Sequence, residues 1–309
     1  FVTDNVEGIV PEFLGLLKGV IDSPDIPLNV SRSYLQSDAS VKKITNYITR
    51  KVADKLNSIF KNERENLESK WNDIKVVIEY GMLTEDKFYD KAESFNLYPT
   101  VDDKYFTYEE LEKKIKKLQT DKDGNLIILY AQNKDEQYTY IESAKERGYE
   151  VLLLDSPIIP HLMQKLESKK EKIKFSRVDS DTLENLIKKD EEVISKLTDE
   201  EKEKLKPMIE TAVENEKYTV QLEALDSNSM PFMLAQPEFM RRMKEMQQTG
   251  GGAMGNLPDM YSLIVNTNHE LVGKILNTRT EKKRNSLIKQ SIDLAKLSQN
   301  NLTGKDLTE

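Results

Sequence analysis

The sequence predicts a mixed α/β fold of the α+β kind, divided among several domains, and three observations predict it. Apolar residues recur every three or four positions from Val41 to Ile78, the mark of long amphipathic helices. Two short apolar runs, Asn125–Ala131 and Glu150–Leu154, bracket a helix-like stretch, as a βαβ unit does. Alternating segments at Tyr218–Leu225 and Pro231–Gln236 then give way to helix again. A chain of 309 residues has room for two or three domains of ordinary size.

Composition narrows the function classes. The formal net charge of -8 disfavours a polyanion as main partner, so no nucleic acid is expected. There is no cysteine, which removes disulfides and thiolate metal sites and suits a reducing cytoplasm. The two histidines, His161 and His269, stand far apart, so neither a metal site nor a histidine-based triad is expected. The longest early apolar stretch, Ile9–Ile21, contains Glu12 and Lys18 and is too short to span a bilayer, so no membrane partner is expected either. Phe1 is not an initiating residue, and the chain reads as a piece of a longer protein.

In chain order, Phe1–Thr3 and Val6–Val10 read as the tail of a strand. Pro11 opens a helix over Glu12–Ile21. The segment Gly19–Asp38 follows, where Pro24 and Pro27 fix a loop that leads into Asn29, Ser31, Arg32 and Gln36. Ala39 begins a long helix with Val41, Ile44, Ile48, Val52, Leu56 and Ile59 on one face. A second helix carries Leu67, Trp71, Ile74 and Ile78 and ends at Gly81. Trp71 is expected in the helix core.

Thr107 and Glu110 form a capping box that starts a helix running to about Leu118. Asn125–Ala131, Asp135–Arg147 and Glu150–Leu154 then form the βαβ unit, with a parallel sheet expected. The loops after its strands, Ala131–Lys134 and Asp155–His161, lie where such sheets bind ligands, but they lack phosphate-cradling glycines and are read as structural. Ile158, Ile159, Leu162 and Met163 form an apolar cluster. Asp181–Lys189 and Thr198–Glu216 are charged helices, the second opened by a Thr198/Glu201 box. The strands Tyr218–Leu225 and Pro231–Gln236 are joined by a turn at Asp226–Ser229.

Pro237–Gln248 is a helix whose Phe239, Met240, Met243 and Met246 cover an arc of about 120°, with Arg241, Arg242, Lys244 and Glu245 elsewhere. Methionine faces adapt to apolar partners of varied shape, although such a face can equally pack on the domain's own sheet. A loop at Thr249–Asn256, the strand Tyr261–Asn266 and the helix His269–Leu276 follow. Thr278 and Glu281 suggest a third box opening a last helix, whose Leu287, Ile288, Ile292, Ala295 and Leu297 exceed what one small sheet needs. A surplus apolar face asks for a partner.

The stretch from Gly19 to Gln36, with Gly19, Val20, Ile21, Asp22, Ser23, Asp25, Ile26, Pro27, Leu28, Asn29, Val30, Ser31, Arg32, Leu35 and Gln36 in place, resembles the middle-domain catalytic loop of the ninety-kilodalton heat-shock-protein chaperones. From spacing alone Arg32 is a surface arginine. The resemblance makes it the residue that reaches the γ-phosphate of ATP, with Asn29 and Gln36 supporting it. ATP and magnesium would be held by an amino-terminal domain that this sequence lacks, so the fragment alone should hydrolyse no ATP.

The resemblance also covers the EVLLL strand and LDSNSMPFMLAQ, and extends to the end of the chain. It implies a bacterial-type middle domain without its first part, then a carboxy-terminal domain. The division would be 1–38, the end of a large α/β layer with the catalytic loop; 39–100, a helical connector; 101–190, a small α/β layer; and 191–309, the dimerisation domain. It implies a molecular chaperone, a cytoplasmic homodimer joined through Leu287, Ile288, Ile292 and Ala295. Unfolded clients would be gripped by Phe239, Met240, Met243 and Met246 and by Leu162 and Met163, where the family's tryptophan position holds His161. The alternative is a helical dimerisation scaffold with no client role. A small-molecule enzyme on the α/β domain would need a polar constellation that the sequence does not display.

Overall fold

The computed structural model describes residues 9–15, 18, 20, 39–190, 193–213, 218–250 and 260–299. Arg32, Asn29 and Gln36, with the loop that carries them, lie outside the described residues. So do residues 1–8 of the expected strand tail and the residues after Gln299, while Ile9 and Val10 form a turn and a bend. The fold is mixed α/β, and the described chain divides into two compact units.

The first unit gathers residues 1–99, 103–113 and 156–168. Among the described residues of the helix expected over Glu12–Ile21, Glu12–Leu14 form a short 3-10 turn. Four helices follow: α1 (Ala39–Asn62), α2 (Arg64–Ser69), α3 (Trp71–Thr84) and α4 (Asp86–Ala92). The helix expected to end at Gly81 runs on to Thr84. Gly81 matters for its missing side chain, because a Cβ there would lie 2.6 Å from the Phe13 ring and 2.9 Å from that of Phe88. Those two rings lie 4.6 Å apart, and Trp71 is buried, 1% exposed. A short antiparallel pair, β1 (Tyr98–Pro99) and β2 (Tyr105–Phe106), precedes α5 (Tyr108–Gln119). The Thr107/Glu110 box forms in both directions, at 2.9 and 3.4 Å. Glu110 also takes both terminal nitrogens of Arg64.

Ile159, Leu162 and Met163 of the apolar cluster lie on the helix α7 (Ile159–Lys169). Leu162 and Met163, expected on a client surface, are 0% exposed and pack as core side chains. Their spacing on a helix gave a stripe, and the stripe faces inward.

The second unit holds two sheets. In the first, β3 (Leu126–Ala131) lies between β4 (Val151–Leu153) and β5 (Ile173–Arg177), and both pairings are parallel. All six residues of β3 are buried, as a central strand covered on both faces requires. Its Ile127, Leu129 and Ala131 pack with Tyr140, Ile141 and Ala144 of α6 (Tyr138–Glu146) and with Leu183 and Leu186 of α8 (Leu183–Leu186). The helix expected over Asp181–Lys189 is therefore a single turn, capped by Thr182 accepting from the Asn185 N–H.

The second sheet has the order β6 (Tyr218–Glu223), β8 (Tyr261–Asn266), β7 (Phe232–Ala235). β6 and β7, consecutive in sequence, do not pair with each other. β8 enters between them, parallel to β6 and antiparallel to β7. One face is covered by α9 (Asp199–Val213), α11 (Glu270–Asn277) and α12 (Glu281–Ser298), through Leu205, Ile209, Val272, Ile275, Ile288 and Ile292. The Thr198/Glu201 box forms at 2.8 and 3.3 Å. The third box does not. Thr278 ends α11 and its hydroxyl donates to the Lys274 carbonyl, while Thr280 holds the N-cap of α12. His269 caps α11, its Nδ1 accepting from the Leu271 N–H at 3.1 Å.

The residues expected at a dimer interface take part in the same packing. Ile288, Ile292 and Ala295 are 0%, 5% and 4% exposed, and they close this unit's own core. Leu287 is half-buried against that core. The outward apolar residues of α12 are Leu294 and Leu297, 64% and 51% exposed.

Candidate functional site

The site with the most chemistry on it is built around α10 (Glu238–Gly250). This helix runs through Thr249 and Gly250, two residues that the sequence placed in a loop. Phe239 is 74% exposed, and Met240, Met243 and Met246 are half-buried. The rest of the helix reverses the usual reading of a charged face.

Arg241 is 3% exposed. Its guanidinium donates to Glu238 at 2.7 Å, to Glu245 at 2.6 Å and to the hydroxyl of Tyr130. Tyr130 is the fifth residue of β3, on the opposite face from Ile127, Leu129 and Ala131. Its hydroxyl in turn donates to Glu238 at 2.8 Å. Glu238 is the hub, because it also accepts from Arg242 Nε at 2.6 Å and from the backbone N–H of Arg177 at 3.1 Å. Arg242 reaches the Phe175 carbonyl at 2.7 Å. Arg177, at the end of β5, forks onto Asp179 at 2.5 and 2.8 Å and donates to Gln132 at 2.9 Å. The helix is thus tied to the ends of two parallel strands by a network of ions.

Burial taken alone would raise the Glu238 carboxyl, but the charges of Arg241 and Arg242 outweigh it and hold the group below the ordinary carboxylate range. Burial and the charge of Glu238 push the Tyr130 phenol upward, so it stays a neutral donor. A second carboxylate behaves the opposite way. Glu223, on β6, is raised by burial with help from Asp181 and Glu184, even though Asn185 Nδ2 donates to both its oxygens at 2.8 and 2.9 Å.

The structure therefore brings Phe239, Met240, Met243 and Met246 onto one helix whose other face is locked, and it leaves Leu162 and Met163 inside the first unit. Sequence reasoning missed Glu238, Tyr130 and Arg177. One local signal was present: Glu238, Arg241, Arg242 and Glu245 sit at the spacings of three and four at which opposite charges pair along a helix. No group of three or more metal-ligating side chains occurs among the described residues.

A family model described as Hsp90 protein matches residues 1–298. The chain belongs to the Hsp90 family. Chaperone protein HtpG of Bacteroides thetaiotaomicron is 52% identical over 282 residues, which cover 90% of this chain and 41% of that protein. Chaperone protein HtpG of Porphyromonas gingivalis is 47% identical over 302 residues, covering 96% of this chain and 44% of that protein. That of Bdellovibrio bacteriovorus is 26% identical over 290 residues. The chain spans less than half the length of these HtpG relatives. No described helix is long and apolar enough to cross a membrane.

Proposed function

We propose that this chain is the middle and carboxy-terminal part of a cytoplasmic, ATP-dependent Hsp90 chaperone, and that α10 presents a grip for unfolded clients. The observation that carries the reading is Phe239, a large aromatic side chain standing 74% exposed on a helix whose opposite face is fixed by buried ions. A rigidly held aromatic beside adaptable methionines suits a surface that must accept many apolar sequences. Burying one such ring against a client contributes about 2 kcal/mol. The Phe239→Ser/Met243→Ser variant should therefore suppress aggregation of an unfolded model protein much less than the parent does in light scattering, with its circular dichroism and melting temperature unchanged. Equal suppression would remove α10 from client binding and favour the scaffold reading.

Two further roles rest on the family resemblance. Arg32, supported by Asn29 and Gln36, would meet the γ-phosphate of ATP bound with magnesium in the amino-terminal domain, where a fixed guanidinium stabilises charge on the transferred group. In the full-length protein Arg32→Ala should lower ATP turnover by about 100-fold while leaving nucleotide affinity nearly unchanged; undiminished turnover would end that role. Homodimerisation would use the last helix, with Leu294 and Leu297 as its outward apolar residues and Leu287 at their margin.

A further inference from the structure

A cleft of about 520 Å³ opens in the second unit between α6, the single turn α8 and the turn that joins β6 to β7. Small-molecule sites occupy roughly 300–1,000 Å³, so the space is of ligand size. It lies on the side of β3 that packs against α6 and α8, whereas Tyr130 points to the opposite side, toward Arg241. None of its lining residues belongs to α10 or to the ion network around that helix.

The wall has an apolar part and an acidic part. Met230 and Met233 line it and are half-buried, and their thioether chains adapt to whatever lies against them. Arg147 donates to Glu184, which makes that pair neutral. Glu146, Asp181 and Asp226 line the same cleft, and among the described residues no cation pairs with them. Asp181 Oδ1 accepts from the Thr182 N–H at 2.7 Å and from Asn185 Nδ2 at 3.0 Å, and Asp226 Oδ1 accepts from the Asn228 N–H at 2.8 Å. Each aspartate is thus held by one oxygen and keeps the other for a ligand. Glu223, which shares Asn185 with Asp181, registers the gathered negative charge: burial raises its carboxyl first, and Asp181 and Glu184 raise it further.

The arrangement selects among ligands. The three uncompensated carboxylates come from α6, from the segment before α8 and from the β6–β7 turn, and they do not gather into a group that could hold a metal ion. A cation whose charges are spaced along a chain suits that spread, and methylenes between the charges match the methionine wall. An anion would be repelled. A neutral apolar molecule would leave the carboxylates uncompensated.

We propose that this cleft binds a linear polyamine, its ammonium groups donating to Glu146, Asp181 and Asp226 and its methylene chain lying against Met230 and Met233. The site is separate from the client surface.

The test is a magnetic-resonance titration of this chain, labelled at its methionine methyl groups, with spermidine and with hexaamminecobalt(III), which carries the same triple charge on a compact ion. Saturable shifts at Met230 and Met233 are expected with spermidine, with Met240 and Met243 unmoved. Hexaamminecobalt(III) should bind about tenfold more weakly or worse. Glu146→Gln with Asp226→Asn changes two exposed residues and keeps the Asp226 oxygen that accepts the Asn228 N–H, so the melting temperature should not move. Spermidine should bind that variant about tenfold more weakly. No saturable shift at either methionine would overturn the proposal. So would equal binding of hexaamminecobalt(III), which would reduce the cleft to a patch of charge, or unchanged affinity in the double variant.

Discussion

Replacing Glu238 with alanine is expected to destabilise the unit that carries α10 by about 3–5 kcal/mol, the range for removing one member of a buried ion network. Glu238 accepts from Tyr130, Arg241, Arg242 and the Arg177 backbone, and its loss leaves Arg241, which is 3% exposed, with Glu245 as its one remaining carboxylate partner and takes the partner of Arg242 Nε as well. An arginine cannot shed its proton to escape, so the cost falls on the fold or on the docking of the helix. Urea unfolding at neutral pH measures it as a lower midpoint with an unchanged slope. A loss below about 0.5 kcal/mol would mean that solvent already screens these ions, as it does for surface pairs.

The acid limb gives a second readout. Glu238 has a folded pKa below its unfolded value, so its contribution is present above the unfolded pKa and is lost as pH falls through the folded one. Stability of the parent should decline over that acid range, and Glu238→Ala should flatten the decline. Glu223 acts in the other direction: its raised pKa makes stability fall as pH rises from the unfolded value through the folded one. Glu223 is common to both proteins, so the difference between them isolates Glu238.

The contrast between what the sequence displays and what it hides follows from the range of the interactions. The boxes at Thr107/Glu110 and Thr198/Glu201 are closed within four residues, and both form. The apolar strands β3 and β4 are equally local signals. β5 is not, because Ile173 and Phe175 are its only apolar residues and its identity comes from pairing with β3. The charged face of α10 reads as solvated because its burial depends on Tyr130, 111 residues away. The hydrogen bond from the Leu234 N–H to Gln299 Oε1 is invisible for the same reason, since it spans 65 residues. The Thr278/Glu281 pattern was a capping box in residue type only, since Thr278 still belongs to the end of the preceding helix.

Ile288 and Leu294 should separate folding from association on the same helix. Periodicity shows that α12 has more than one apolar strip, but not which strip meets the chain's own sheet. Ile288 is 0% exposed among Leu263, Val265 and the other core residues, so Ile288→Ala should cost about 2–5 kcal/mol through lost transfer energy and an unfilled cavity. Leu294→Ser with Leu297→Ser removes side chains that are 64% and 51% exposed, and should change the unfolding midpoint little. If the outward strip joins two copies, sedimentation of the double variant should show weaker self-association at a concentration where the parent associates. Ile288→Ala should instead lower the urea midpoint at protein concentrations too low for association. Reversed outcomes, with Ile288 neutral for stability and the outer pair essential to it, would mean that α12 folds only as part of the assembly.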